Sequence, residues 1–244
     1  MSLESDVANL VTQTNALLDY FKTRKAGIDQ AVALAIAAVP NLERTWFVNQ
    51  QTGDDTAAGT AVAPLKTIDK AVANTPAGGS CLIRLQADYL HSTAIVAAQR
   101  VVNIMTDTTG VKRKLTLTYQ TDGTSAYLSG IGLPSWGSFG LRDVTLVLPS
   151  PAGIVPTPSG SANSVIKTYS ASIVSMLALK LDSCDVQAPA DFVGFLMPGS
   201  ANGVVLEVIS TSTPSGFAGR YVMGVAGGTA SNTLGNVVTN LASL

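Results

Sequence analysis

The sequence predicts a mainly β protein with an N-terminal α-helical coiled-coil stalk, and three observations carry that prediction. The first forty residues bear an apolar stripe at heptad spacing, with no proline before Pro40. After Pro40 the texture changes to short β-branched runs divided by Gly, Pro, Ser, Asn and Thr, with one convincing helical stretch at about 65–74. Several runs, among them VTLVLP, SIVSMLALKL and NGVVLEVIS, are apolar at both odd and even positions, which suits strands covered on both faces. Parallel strands ordinarily need helical crossovers, and none is visible after residue 80, so a short parallel β-helix with strands joined by bends is expected. An antiparallel β-sandwich is the alternative, because strand spacing is irregular and no repeat period stands out.

The helical segment is read as residues 1–44. Its seam runs Leu3, Val7, Leu10, Thr14, Leu17, Phe21, Arg24, Ile28, Ala31 and Ala35, in alternating steps of four and three. Such a narrow stripe suits a partner helix better than a globular core, so Leu3, Val7, Leu10, Leu17, Phe21 and Ile28 are the expected oligomerisation residues. Near Gly27 the seam drifts toward Ile28, Val32, Ile36 and Val39, a local change of phase. Pro40 is expected to end the helix, since the residue before a proline is pushed out of the helical region. An amphipathic helix folded back on the body also fits the stripe.

The body is read as residues 45–244. WFVNQ reads as a strand, QTGDDTAAGTAVAP as a loop, and LKTIDKAVAN as a short helix with Leu65, Ile68 and Val72 on one face. Candidate strands follow at about 81–86, 93–97, 101–105, 114–119, 143–148, 164–168, 173–182, 192–197, 203–210 and 220–225. An open end of a strand coil exposes apolar interior and unpaired edges, and a helix carrying Leu65, Ile68 and Val72 makes a suitable cap. The C-terminal GGTASNTLGNVVTNLASL is polar, rich in small residues and aliphatic, and suits either an interchain end-cap or a flexible tail.

Gly53, Asp54, Asp55, Gly59, Pro64, Leu65, Lys66, Thr67, Ile68 and Ala71 occupy positions that resemble the entry module of pectate-lyase-like right-handed β-helices. That module occurs in many bacteriophage tail fibres and tailspikes. A heptad helix ahead of it resembles the attachment region of fibre proteins of contractile-tailed phages. The resemblance covers residues 1–90 and is architectural beyond them. It implies a right-handed β-helical shaft, a homotrimer, other tail or baseplate proteins as partners, and location in the virion after assembly in the host cytoplasm. It implies no particular activity, because the module serves hydrolases, lyases and inert fibre parts alike.

Composition narrows the function. Charged residues are 13 % of the chain, and Lys plus Arg (15) nearly balance Asp plus Glu (16). A nucleic-acid surface needs clustered cations, so no nucleic-acid partner is expected. Mean hydropathy is +0.32. No run reaches the roughly 18 apolar residues of a membrane span, so the apolar surface is expected to be buried between subunits. MSLESDV lacks the basic and apolar regions of a secretory signal, and none is expected. Cys81 and Cys184 lie in separate strand-like runs and read as buried free thiols.

Catalytic and metal signatures are sparse. Asp54 and Asp55 sit in a Gly/Thr loop, where capping backbone N–H groups is the expected role rather than holding Ca²⁺. His91 has no neighbour at metal-ligand spacing, so neither a metal site nor a cofactor is expected. Glutamate is limited to Glu4, Glu43 and Glu207, and the tightest acidic group is Asp182, Asp185 and Asp191. A catalytic pair needs convergence, and residues three apart on a strand point to opposite faces. The chain is therefore expected to be a structural attachment protein and not an enzyme, presenting or contacting a host receptor or another fibre. A tailspike depolymerase, hydrolase or lyase, acting on host surface polysaccharide is the alternative. Tyr127, Trp136 and Phe139, in the loop-rich YLSGIGLPSWGSFG, are the candidate contacts to a host glycan.

Overall fold

The structure is a computed structural model that describes residues 2–134, 136–168, 174–201 and 203–244, with the side chains of 38–41 and of 136 outside that description. The chain forms two compact units, 1–41 and 42–244, so the division falls slightly before the expected one at 44.

The first unit is helical. Helix α1 spans Leu3–Leu42, 40 residues, with Glu4 and Asp6 placed favourably in its first turn. It runs past Pro40, contrary to the expected stop. The proline leaves the carbonyl four residues earlier without its intrahelical donor, and only two helical residues follow it. Thr12, Thr14 and Thr23 each turn their hydroxyl back onto the carbonyl four residues earlier. These bonds take the hydroxyl groups out of competition along the helix surface.

The second unit is mainly β with parallel sheets. Strand β1 (Glu43–Val48) is followed by a long loop and the short helix α2 (Ile68–Asn74). Then come β2 (Ser80–Leu85), β3 (Tyr89–His91) and β4 (Ala94–Val96). The next passage is β5 (Val101–Thr106), β6 (Arg113–Leu117), an inserted hairpin β7 (Tyr119–Thr121) and β8 (Ala126–Leu128), and β9 (Gly130–Gly132). The third is β10 (Trp136–Arg142), β11 (Val144–Val147) and β12 (Ile166–Lys167). The last strands are β13 (Met176–Asp182), β14 (Asp185–Gln187), β15 (Gly203–Ile209) and β16 (Val237–Thr239).

Hydrogen bonding sorts these strands into a long sheet β1-β2-β5-β10-β13-β15-β16, a second sheet β14-β11-β6-β3 and a third sheet β12-β9-β4. Every pairing inside the three sheets is parallel, and the hairpin β7–β8 is the antiparallel strand pair among the described residues. The antiparallel sandwich is therefore set aside. From β2 onward, among the described residues, bends and loops rather than α-helices carry the crossovers, while α2 lies in the connection from β1 to β2. At the passage from the long to the second sheet, Asp143, Ser183 and Ser210 adopt positive φ of 53°, 56° and 47°. The Asp143 and Ser183 amides donate to Asp182 and Ile209 carbonyls of the following passage, so the turns brace one another.

Registers stack like on like. Cys81, Val102, Phe139, Leu179 and Leu206 are successive partners, as are Ile83, Ile104, Leu141 and Leu181, and all are buried in one core. Both thiols are free and buried. The C-terminal segment folds onto its own chain: Leu244 is buried, its amide bonds the Thr229 carbonyl, and its carbonyl accepts from Gly228.

The entry loop is held by its motif residues. Asp55 accepts from the Lys66 and Thr67 amides and the Thr67 hydroxyl, and Thr67 in turn caps α2 by accepting from the Lys70 amide. Asp54 accepts from the amide and hydroxyl of Thr56. Gly59 has φ +72°, and a Cβ there would lie 2.3 Å from the Trp46 ring. Helix α2 starts at Ile68, later than the expected 65. Leu65 instead forms a parallel bridge with Val48, so it belongs to the strand layer. Leu65, Ile68 and Val72 are all buried in the body core, and α2 packs on β1 and β2.

Candidate functional site

The outward face of the long sheet carries a set of polar side chains at strand positions. Alternation turns Leu82, Arg84, Asn103, Met105, Gly140, Arg142, Lys180 and Asp182 away from the core. They line a groove of about 440 Å³. Gly140 makes its floor: a Cβ there would sit 2.2 Å from Asn103 Oδ1, so the Asn103 amide lies flat across the neighbouring strand. The glycine that weakens β10 as a strand by propensity is what lets the side chain of β5 lie down.

Two of the cations along the groove, Arg142 and Lys180, stand beside carboxylates. Lys180 Nζ is 3.0 Å from Glu207 Oε2, and Arg142 Nε is 3.8 Å from both Asp143 and Asp182. Asp182 also accepts from the Ser183 hydroxyl. Asp185 lies in the second sheet, where Ser212 and Gln187 donate to it and hold its carboxyl below the usual range. Asp191 accepts from Ser150 in another loop. The acidic trio of the sequence thus separates into three places, each with its own partners.

Of the residues expected to contact glycan, Tyr127 is half-buried, with the Lys167 ammonium 5.0 Å from its ring centroid. Phe139 points inward and is 2 % exposed, so its ring is core and offers no surface. The Trp136 side chain lies outside the described residues. The expected seam residues Leu3, Val7, Leu10, Leu17, Phe21 and Ile28 are between 53 and 80 % exposed.

Two buried ionisable groups were not singled out as sites by the sequence. Lys167, at the end of β12, is 2 % exposed, donates to the Leu128 carbonyl, and burial lowers its pKa to about 8. His91 is buried beside Tyr89, and burial pulls its pKa below the ordinary 6.5. Among the described residues no group of three His, Cys, Asp or Glu is placed to hold a metal ion. No described helix is long and apolar enough to cross a membrane.

A pattern that sequence reading missed lies between the second and third sheets. Three successive passages make the same turn: Pro151-Ala-Gly-Ile154, Pro189-Ala-Asp-Phe192 and Pro214-Ser-Gly-Phe217. In each, the fourth residue's amide donates to the proline carbonyl, at 3.0, 3.0 and 3.2 Å. The signal was available as a repeated proline followed three residues later by an apolar residue.

No family model matches the chain, and no curated protein matches it. Among solved structures, the GH136 lacto-N-biosidase from Eubacterium ramulus is similar at a TM-score of 0.37 and 13 % identity, over 75 % of this chain and 32 % of that one. The chain thus spans about a third of that protein's length. At that level the likeness carries no functional argument.

Proposed function

We propose that the chain is a structural attachment protein of a bacteriophage tail, acting in the virion as a fibre or baseplate-associated part and not as an enzyme. The observation that carries this reading is the uncovered seam of α1. Leu3, Val7, Leu10, Leu17, Phe21 and Ile28 stand in water on one stripe, which is a sticky surface until other helices cover it. Copies of the same helix in a parallel trimeric coiled coil would bury it. At roughly 1.5 to 3 kcal/mol per large side chain, six offer on the order of 10 kcal/mol per chain before ordering entropy is subtracted.

The body is read as a short right-handed parallel β-helix. Its strands visit the long, second and third sheets in the same order again and again, with like residues stacked, which supports that reading. The outward row Ala178, Val205 and Val238, partners in register and flanked by exposed Met176, supplies a second apolar surface for a neighbouring copy. The body's role is then to contact a host receptor or another fibre, with tail or baseplate proteins as partners. Pairing of the groove carboxylates with Arg142 and Lys180 favours this over polysaccharide cleavage. Gold-labelled antibody against the body, applied to tailed particles from cells making this chain, should decorate tails. Label confined to capsids or absent from particles contradicts the proposal.

A further inference from the structure

The loops of the body do not scatter. Passage from the long to the second sheet takes one left-handed residue in three successive passages. Passage from the second to the third sheet instead holds the β7–β8 hairpin, then the segments 148–165, 188–195 and 213–221. Insertions collected on one side of a stacked strand array form a composite face, and such faces are often the binding face.

Within that face the three Pro-x-x-apolar turns follow successive strands of the stack. The first two are tied together: Ser150, beside the first turn, donates to Asp191 in the second. Phe192 and Phe217 are buried beneath the second and third turns. Between those two turns opens a cleft of about 370 Å³, with Pro189, Pro214 and Ser215 at its walls and Arg220 on its border. That volume is in the range of small-ligand sites. The Arg220 guanidinium lies over the Phe195 ring, 5.6 Å from its centroid. Among the described residues no carboxylate forms an ion pair with it, in contrast to Arg142 and Lys180 in the sheet groove. A cation fixed on an aromatic face, with its donor fork unmatched at the edge of an apolar cleft, calls for an anion.

We infer that this cleft is a binding site for an acidic glycan, one sugar lying between the second and third turns with its carboxylate or phosphate on Arg220. The inference rests on the attachment role proposed above and assigns the receptor contact to this loop face. An apolar C–H face of the sugar ring meets the Pro189 and Pro214 walls, and the Ser215 hydroxyl is available to a ring hydroxyl.

The test is a glycan array probed with the intact chain, carrying neutral, uronate-bearing, sialate-bearing and phosphate-bearing oligosaccharides. Binding to an acidic class above the neutral one is expected, the class distinguishing carboxylate from phosphate. Arg220→Ala should weaken the best ligand by roughly tenfold or more, Arg220→Lys by less, and Ser215→Trp, which fills the cleft, should weaken it without removing the charge. Circular dichroism and solution mass unchanged from the parent establish that each variant is folded. No acidic ligand on the array, neutral glycans alone, or an acidic ligand indifferent to all three substitutions overturns the inference. Tail labelling that persists alongside such a result leaves the attachment role standing and removes only this site.

Discussion

Replacing Lys167 with Met should stabilise the body at neutral pH and erase a pH dependence that the parent shows. Burial lowers the lysine pKa from 10.5 to about 8. At about 1.36 kcal/mol per pKa unit, keeping the charge buried costs on the order of 3 kcal/mol. The sign follows from the depressed folded pKa. Below pH 8 both folded and unfolded chains carry the proton and the full cost applies. As pH rises from 8 to 10.5 the folded chain sheds its proton first, so parent stability rises. Above 10.5 the cost is gone. Methionine avoids this desolvation but leaves the Leu128 carbonyl without the ammonium donor, a loss of about 1 to 3 kcal/mol that does not vary with pH. The quantity to read is therefore the difference between variant and parent across pH. Urea unfolding at fixed protein concentration, from pH 7 to 10.5, should show the variant's advantage shrinking by about 3 kcal/mol. Since Tyr89, Tyr119 and Cys81 also titrate in alkali, and are common to both proteins, only the difference isolates Lys167. A difference that stays flat over that range refutes the reasoning.

Asp55→Ala removes the acceptor for two amides and a hydroxyl at the start of α2 and should cost about 2 kcal/mol in urea unfolding, whereas Asp55→Asn should cost less. Gly59→Ala places a Cβ against the Trp46 ring at positive φ and should lower stability by about 2 to 4 kcal/mol, with a changed tryptophan emission reporting the displaced ring. Asp54, Asp122 and Asp185 are each held below the ordinary 3.8 by hydrogen bonds, so their contributions are complete above 3.8 and lost as pH falls through the lowered folded values. Acid titration of the parent against Asp185→Asn should therefore converge below pH 3.8 and separate above it.

Much of the strand pattern was legible because buried strands advertise themselves. CLIRL, VVNIM and the run through Leu177 to Leu181 alternate or stay apolar, and they are β2, β5 and β13. The glycine-rich stretch around Gly130 to Gly140 read as loop, since two glycines in WGSFGLR lower strand propensity. It is β9 and β10, because parallel partners on both sides supply what propensity lacks. Short strands such as Tyr89–His91 gave no periodic signal at all. The runs at 192–197 and 220–225 make single bridges, Ser164 with Phe195 and Met197 with Val222, where strands were expected. Apolarity on both parities predicts cover on both faces. For β11 that is so, while in β13 and β15 the outward Met176 and Val205 are exposed in the chain. The loop cleft was illegible because its residues come from turns 25 positions apart, and only the stacked strands bring Pro189 and Pro214 together.

The central claim is that α1 gathers copies of this chain, and the solution mass of the intact protein tests it most directly. Multi-angle light scattering of the parent should give three times the 25.1 kDa chain mass. Leu17→Asp with Phe21→Asp, which places two carboxylates on the seam, should lower that mass to a single chain with circular dichroism of the body retained. A parent that runs as a monodisperse monomer contradicts the claim, and a dimer contradicts the number three.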